Sequence, residues 1–266
     1  LDNIDTHISS KVYTLSIKQD GIHIIEGMYA SIQITIATGI AVTIYDKTET
    51  TRRTILVEAN ASCTYVYYDK DTVPTLLDHI YLYSNSMLHI LYAGTYTRNV
   101  KRSVYIFMQE DGAQMTCQML QALYGNTQGE FDTKQYHQAP HTTSMLEVRK
   151  IMYDASVVLY NGIVHIDPHA SGSNASQQDR TLLISNTARA QSRPALEVCT
   201  QEVHCAHGSA LGTFDQEHIW YLQSRGILMQ NAQRLLIYAF FSSVLQSIPE
   251  NMRKEICSIL NVQGIE

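Results

Sequence analysis

The chain has 266 residues, 19 Lys and Arg against 25 Asp and Glu, and a formal charge of −6. That length holds one large domain or two small ones with ample core, and the acidic balance argues against a general nucleic-acid binder. Five scattered cysteines (Cys63, Cys117, Cys199, Cys205, Cys257) without a Cys-x-x-Cys pair exclude a disulfide framework, a zinc finger and an iron–sulfur cluster held by this chain alone.

From Lys11 to about Ile184 the sequence reads as many short strands, rich in Ile, Val, Thr and Tyr. Segments 11–18, 21–25, 31–36, 41–45, 54–58, 64–68, 88–92 and 103–108 show alternation or β-branched runs, and 115–123, 156–160, 163–166 and 182–184 follow. Two architectures fit: a sandwich or barrel, and a β-solenoid. A sandwich wants tight hairpins, yet only Asp20-Gly21, Asp111-Gly112 and Asn161-Gly162 have hairpin chemistry. The repeat is degenerate and favours the solenoid only slightly.

Within the strand-rich part, His165, Asp167 and His169 would share one strand face, but Pro168 ends the strand there, so loop histidines are favoured over a metal site. His137-x-x-x-His141 surrounds Pro140 and reads as a turn rather than a helical ligand pair. The hydroxyls of Ser171, Ser173 and Ser176 lie in no Gly-x-Ser-x-Gly elbow, and no Walker loop or dinucleotide fingerprint occurs.

A β-like stretch then carries Arg193-Pro194-Ala195-Leu196-Glu197-Val198 and His204-Cys205-Ala206-His207. Alternation puts Cys205 and His207 on one face and His204 on the other. A thiol beside an imidazole suits a soft or borderline metal, or chemistry at a thiolate. Two ligands from this chain and the rest from a partner is the geometry this allows; the plainer alternative is a half-buried Cys with two surface histidines.

After Gly212 the pattern turns helical. Thr213 and Gln216 form a capping-box pattern, Asp215 and Glu217 suit a first turn, and Gly226 is a left-handed stop. A second helix from about Gln230 has the apolar face Ala232, Leu235, Leu236, Ala239, Phe240 and Val244; Ser247-Ile248-Pro249 ends it. A third carries Met252, Ile256, Ile259 and Leu260. The expected division is a β part over residues 1–212 and a helical subdomain over 213–266. No signal peptide is visible, the missing initiator Met suggests a trimmed chain, and the apolar tract 235–244 is too short to span a bilayer. A soluble, cytoplasmic protein is expected.

The second half resembles the SufB/SufD family of iron–sulfur cluster assembly proteins. The resemblance lies in Leu182-Leu183-Ile184-Ser185, Arg193 to Val198, Val203-His204-Cys205-Ala206-His207-Gly208, Tyr221-Leu222-Gln223-Ser224-Arg225-Gly226-Ile227, Ala232 and Leu235-Leu236. Upstream, His137, Pro140 to Ser144, Asp154 and Asn161-Gly162-Ile163-Val164 also match. Gln178-Asp179-Arg180-Thr181 stands where SufB carries Thr-Gln-Cys, and Gly208 where SufB carries Glu, so the likeness is to SufD. It implies a mainly β fold, a right-handed parallel β-helix core with C-terminal helices. It also implies a heterodimer with a SufB-like subunit and docking of a SufC-like ABC ATPase on the tail. A transient iron or Fe–S cluster would be shared with the partner at His207 and Cys205, with none tightly bound in the isolated chain. Arg225, Leu235, Leu236 and Phe240 would serve ATPase docking. Such a chain is a non-catalytic or jointly catalytic scaffold, free of nucleic acid and membrane and able to homodimerise when isolated; whether flavin binds is left open. The family's N-terminal helical segment has no counterpart here, and Ser209-Ala210-Leu211 replaces Ala-Thr-Val. The competing expectation is a stand-alone β-helix metal-dependent hydrolase using His165, Asp167 and His169, or a carbohydrate-active enzyme, although Trp220 is the only Trp for sugar stacking.

Overall fold

In chain order the strands of the computed structural model are β1 (Ile4–Ser9), β2 (Val12–Ile17), β3 (Gly21–Tyr29), β4 (Ile32–Ile36), β5 (Ala41–Thr50), β6 (Arg52–Val57), β7 (Ser62–Asp69), β8 (Thr75–Leu82) and β9 (Met87–Tyr96). They continue as β10 (Val100–Met108), β11 (Gln114–Leu123), β12 (Gln128–His137), β13 (Thr143–Met152), β14 (Val157–Ile166), β15 (Asn174–Leu183), β16 (Arg189–Val198) and β17 (His204–Thr213). Helices α1 (Gln216–Ser224), α2 (Met229–Leu245) and α3 (Glu250–Ile259) follow. The structure describes residues 4–9, 12–69, 71–246, 248 and 250–260; Lys11, Ser247 and Pro249, used in the sequence reading, lie outside them.

From β2 on the strands alternate between two sheets, β1 and the even strands in one, the odd strands β3 to β17 in the other. All described pairings are parallel except β1 on β2, so the chain winds as a parallel β-solenoid. Period-2 alternation drives this: each strand turns every second side chain into the lumen, where it stacks on its equivalent in the next coil. One such column runs Ile17, Ile36, Val57, Leu82, Met108, His137, Ile166 and Val198. Each fully buried aliphatic in it contributes about 1.5–3 kcal/mol over an exposed one. The outer face of the even sheet is zipped by stacked rings, Tyr81–Phe107 at 5.0 Å and Phe107–Tyr136 at 4.8 Å.

The outer face of the odd sheet carries Val66, Tyr68, Leu91, Leu120 and Ile151, and these form one cluster with Ile237, Phe241, Val244, Met252 and Ile256 of the helices. The helical tail is therefore packed on the solenoid. Among the described residues no helix is long and apolar enough to cross a membrane.

Several sequence expectations are corrected. Asn161-Gly162 makes no hairpin: both lie inside β14, which merges segments 156–160 and 163–166. Strands β1, β8, β12, β13 and most of β15 carry no run of β-branched residues bounded by turn residues, and the sequence reading passed over them. The first cap of α1 is Asp215, whose carboxylate accepts from the Glu217 N–H, rather than Thr213, which ends β17. Gly226 does take the left-handed conformation, at φ 84°. On α2 the buried line is Ala232, Ile237, Phe241, Val244 and Leu245; Leu235, Leu236 and Phe240 are half-buried and Ala239 is exposed. The helix is rotated from the expected stripe because the sheet below accepts the Ile237–Phe241–Val244 line.

Candidate functional site at the open end of the solenoid

The last coil is built from β16 and β17, each an edge strand with one neighbour. Residues facing inward there have nothing stacked above them. Leu196 is 36% exposed, Val198 42% and Leu211 55%, whereas Leu15, Ile17 and Ile25 in the first coil are at most 5% exposed. β1 folds back on β2 at the first end; no described element covers β17.

Cys205 and His207 sit on this surface. Their partners on β15 are Ala175 and Gln177, both buried, so both side chains face the lumen side of the last coil while His204 faces out. His207 is exposed. Cys205 is half-buried against Val164, Ile166, Ala170 and Ala175, and that burial raises its thiol above the usual cysteine range. A thiol so placed stays protonated at neutral pH and becomes a thiolate when a metal or cation binds it. Among the described residues no group of three or more His, Cys, Asp or Glu can hold a metal ion. Cys205 and His207 are thus two donors of an incomplete set on the lumen face of the last coil.

Behind the end face the lumen turns polar. Gln177 and Gln135 are joined by a bond from Gln135 Nε2 to Gln177 Oε1 at 3.3 Å. Lys150 forms a buried ion pair with Asp179 and lies over the Tyr160 ring. Burial lowers the Lys150 pKa and Asp179 opposes it. Tyr160 Oη and Thr133 Oγ1 are 2.8 Å apart. The sequence reading missed Gln135, Gln177 and Lys150; the available signal was polar residues at inward positions, visible only once the register is known.

The other histidine clusters are structural. His137 is buried, hydrogen-bonded to Thr142 Oγ1 and Ser144 Oγ at 2.8 Å each, and burial pushes its pKa down to about 4. Both ring nitrogens are thus engaged and the ring is neutral. His141 sits in a turn at φ 53° against Asp111. His165 lies between Glu197 Oε2 at 2.9 Å and Asp167 Oδ1 at 2.8 Å, so both ring nitrogens are engaged by carboxylates. The Glu197 bond leads the causes raising its pKa. His169 is in the turn beyond β14 and joins no ligand set.

At the helical corner, Arg225 ends α1 with its guanidinium 5.4 Å from the Tyr221 ring. Trp220 (65%), Tyr221 (58%), Leu228 (73%) and Met229 (51%) are exposed around it. The Phe240 ring faces Arg149, whose guanidinium donates to the Phe240 carbonyl, so Phe240 serves the packing of α2 on the sheet.

Residues 10–240 match the family model described as SUF system FeS cluster assembly, SufBD core domain. The chain belongs to the SufB/SufD family. It is a SufD-like member: it is 31% identical over 137 residues to the iron-sulfur cluster assembly protein SufD of Bacillus subtilis (strain 168), and 32% over 107 residues to SufD of Escherichia coli (strain K12). An iron-sulfur cluster assembly SufBD family protein of Mycobacterium leprae (strain TN) is 43% identical over 88 residues. These matches cover 51%, 40% and 33% of this chain, but only 31%, 25% and 22% of the relatives' own lengths.

Proposed function

We propose that this SufD-like chain is a scaffold subunit of an iron–sulfur cluster assembly complex, and that its open solenoid end is half of a shared iron pocket. The observation that carries the reading is the uncapped last coil, where Cys205 and His207 share the lumen face beside exposed Leu196, Val198 and Leu211. A terminal repeat of a solenoid normally ends in a polar cap. Here two bare edge strands and an apolar cross-section make a surface suited to another protein. A SufB-like subunit is the proposed partner, by family membership. His207 acts there as iron ligand or proton-transfer group, and Cys205 as supporting ligand. Iron or the nascent cluster is substrate, held only while the two subunits meet.

The test is His207→Ala in cells that depend on this protein. The side chain is exposed, so the variant folds and keeps its partners, while cluster assembly falls to background, read as activity of an iron–sulfur enzyme. Normal assembly by that variant sinks the site assignment.

A SufC-like ABC ATPase is proposed to dock on the corner of α1 and α2, through Arg225 with Trp220, Tyr221, Leu228 and Met229; Leu235 and Leu236 support it. Leu228→Asp should abolish co-purification of the ATPase without changing the melting temperature, because the side chain is 73% exposed. Full recovery of the ATPase with that variant would move the docking surface elsewhere.

A further inference from the structure

We propose that the groove beneath the first two turns of α2 is a specificity pocket for the docked ATPase, taking an acidic side chain of that partner beside an apolar one. The inference rests on the reading of the α1–α2 corner as the docking surface and extends it to residues that reading does not use.

A cavity of about 380 Å³ lies between α2 and the rim where β11, β13 and β15 end. Its floor is Tyr124, Tyr153 and Ile184, equivalent positions of three successive coils, whose N–H groups donate to the carbonyls of Tyr96, Leu123 and Met152. The two tyrosine rings stack at 4.3 Å and 6°. Its roof is Gln230, Gln233, Arg234 and Ile237 of α2.

That roof has the wrong polarity for a helix packed on a sheet. Residues 230, 234, 237, 241 and 244 recur at helical spacing and form one stripe. Ile237, Phe241 and Val244 of the stripe are buried against the sheet, whereas its first two members are Gln230 and Arg234. Arg234 is the only charged residue of α2, and among the described residues it has no ion pair, hydrogen bond or ring contact. No acid lines the groove; Asp154, next to Tyr153, is engaged by the Gly125 N–H at 2.8 Å.

An unpaired guanidinium above an aromatic floor selects a carboxylate with an apolar neighbour. The surroundings make its bearer a protein rather than a small molecule. Leu228 and Met229, 73% and 51% exposed, adjoin Gln230 along the chain and widen the apolar surface beyond the cavity. Tyrosine and arginine set within an apolar patch are the usual anchors of a protein interface.

The experiment measures binding of the full chain to the purified SufC-like ATPase of the same organism by isothermal titration calorimetry. Arg234→Gln should weaken it about 10–100-fold, Arg234→Glu more, and Arg234→Lys less than either. Gln230→Trp, which adds bulk to the roof, should weaken it as well. Melting temperatures should match wild type, since both side chains are exposed. Added salt should weaken wild-type binding more steeply than that of Arg234→Gln. Wild-type affinity in Arg234→Gln, or tighter binding by Arg234→Glu, overturns the proposal. So does a loss confined to self-association of the isolated chain in sedimentation, which makes a second copy the occupant. If Leu228→Asp loses the ATPase and Arg234→Gln keeps it, the pocket falls and the docking corner stands. If Leu228→Asp binds normally and only the Arg234 variants fail, the pocket stands and the corner falls.

Discussion

Arg53→Met should destabilise the protein by about 3–5 kcal/mol at pH 7, the cost of leaving buried charge uncompensated. Arg53 is fully buried in the lumen, bonded to Asp46 Oδ2 at 2.8 Å and Asp78 Oδ1 at 2.9 Å, with its guanidinium 3.5 Å from the Tyr67 ring centroid. Tyr65 donates to Asp46, and Tyr92 to Asp78 at 2.6 Å. Two carboxylates face one guanidinium, and burial raises the Asp78 pKa even with Arg53 opposing. Without the arginine, Asp78 loses the group that opposes its burial, and its folded pKa lies further above the unfolded one. Such groups favour the fold below the unfolded pKa and lose that support as pH rises through the folded one. The deficit should therefore shrink on acidification, and Arg53→Met/Asp78→Asn should recover part of it. Thermal unfolding by circular dichroism checks this, at roughly 2–4 °C per kcal/mol. An unchanged melting temperature at neutral pH would mean the cluster contributes nothing.

Gly162→Ala is expected to cost about 1–3 kcal/mol through overpacking alone. The added methyl meets Gln177 Nε2 and lies 2.7 Å from both Gln177 Cδ and Tyr160 Oη, and none of these is a free side-chain end. Tyr160 is pinned by Thr133, and Gln177 by Gln135. The amide must move, and the chain loses stability. Guanidinium melts give the effect; a midpoint equal to wild type would show that the lumen yields more easily than its packing implies.

The β-rich body and helical tail were legible because inward Ile, Val, Leu and Tyr recur at every second position and the tail recurs at helical spacing. The coil repeat was hidden for a geometric reason. Register partners are 21 residues apart at Ile32 and Arg53, 25 at Arg53 and Asp78, 29 at Phe131 and Tyr160, and 32 at Tyr160 and Ser192. No fixed period exists to find. Strand β15, Asn-Ala-Ser-Gln-Gln-Asp-Arg-Thr-Leu-Leu, escaped notice because its lumen face carries Gln177, Asp179 and Thr181, which are satisfied or used inside rather than hydrated outside. The pairing of Cys205 with His207 followed from strand alternation alone. That they stand at an uncovered end did not, since exposure of an edge depends on which strands lie next to it.

The two ends of the winding differ in what they permit. At the start, β1 folds back on β2 and β3 keeps one neighbour, and the inward Leu15, Ile17 and Ile25 are buried. At the finish, both layers stop in mid-pattern. The inward apolar residues of the last coil are therefore the ones a second molecule would cover, whereas Leu15, Ile17 and Ile25 at the first end are covered already.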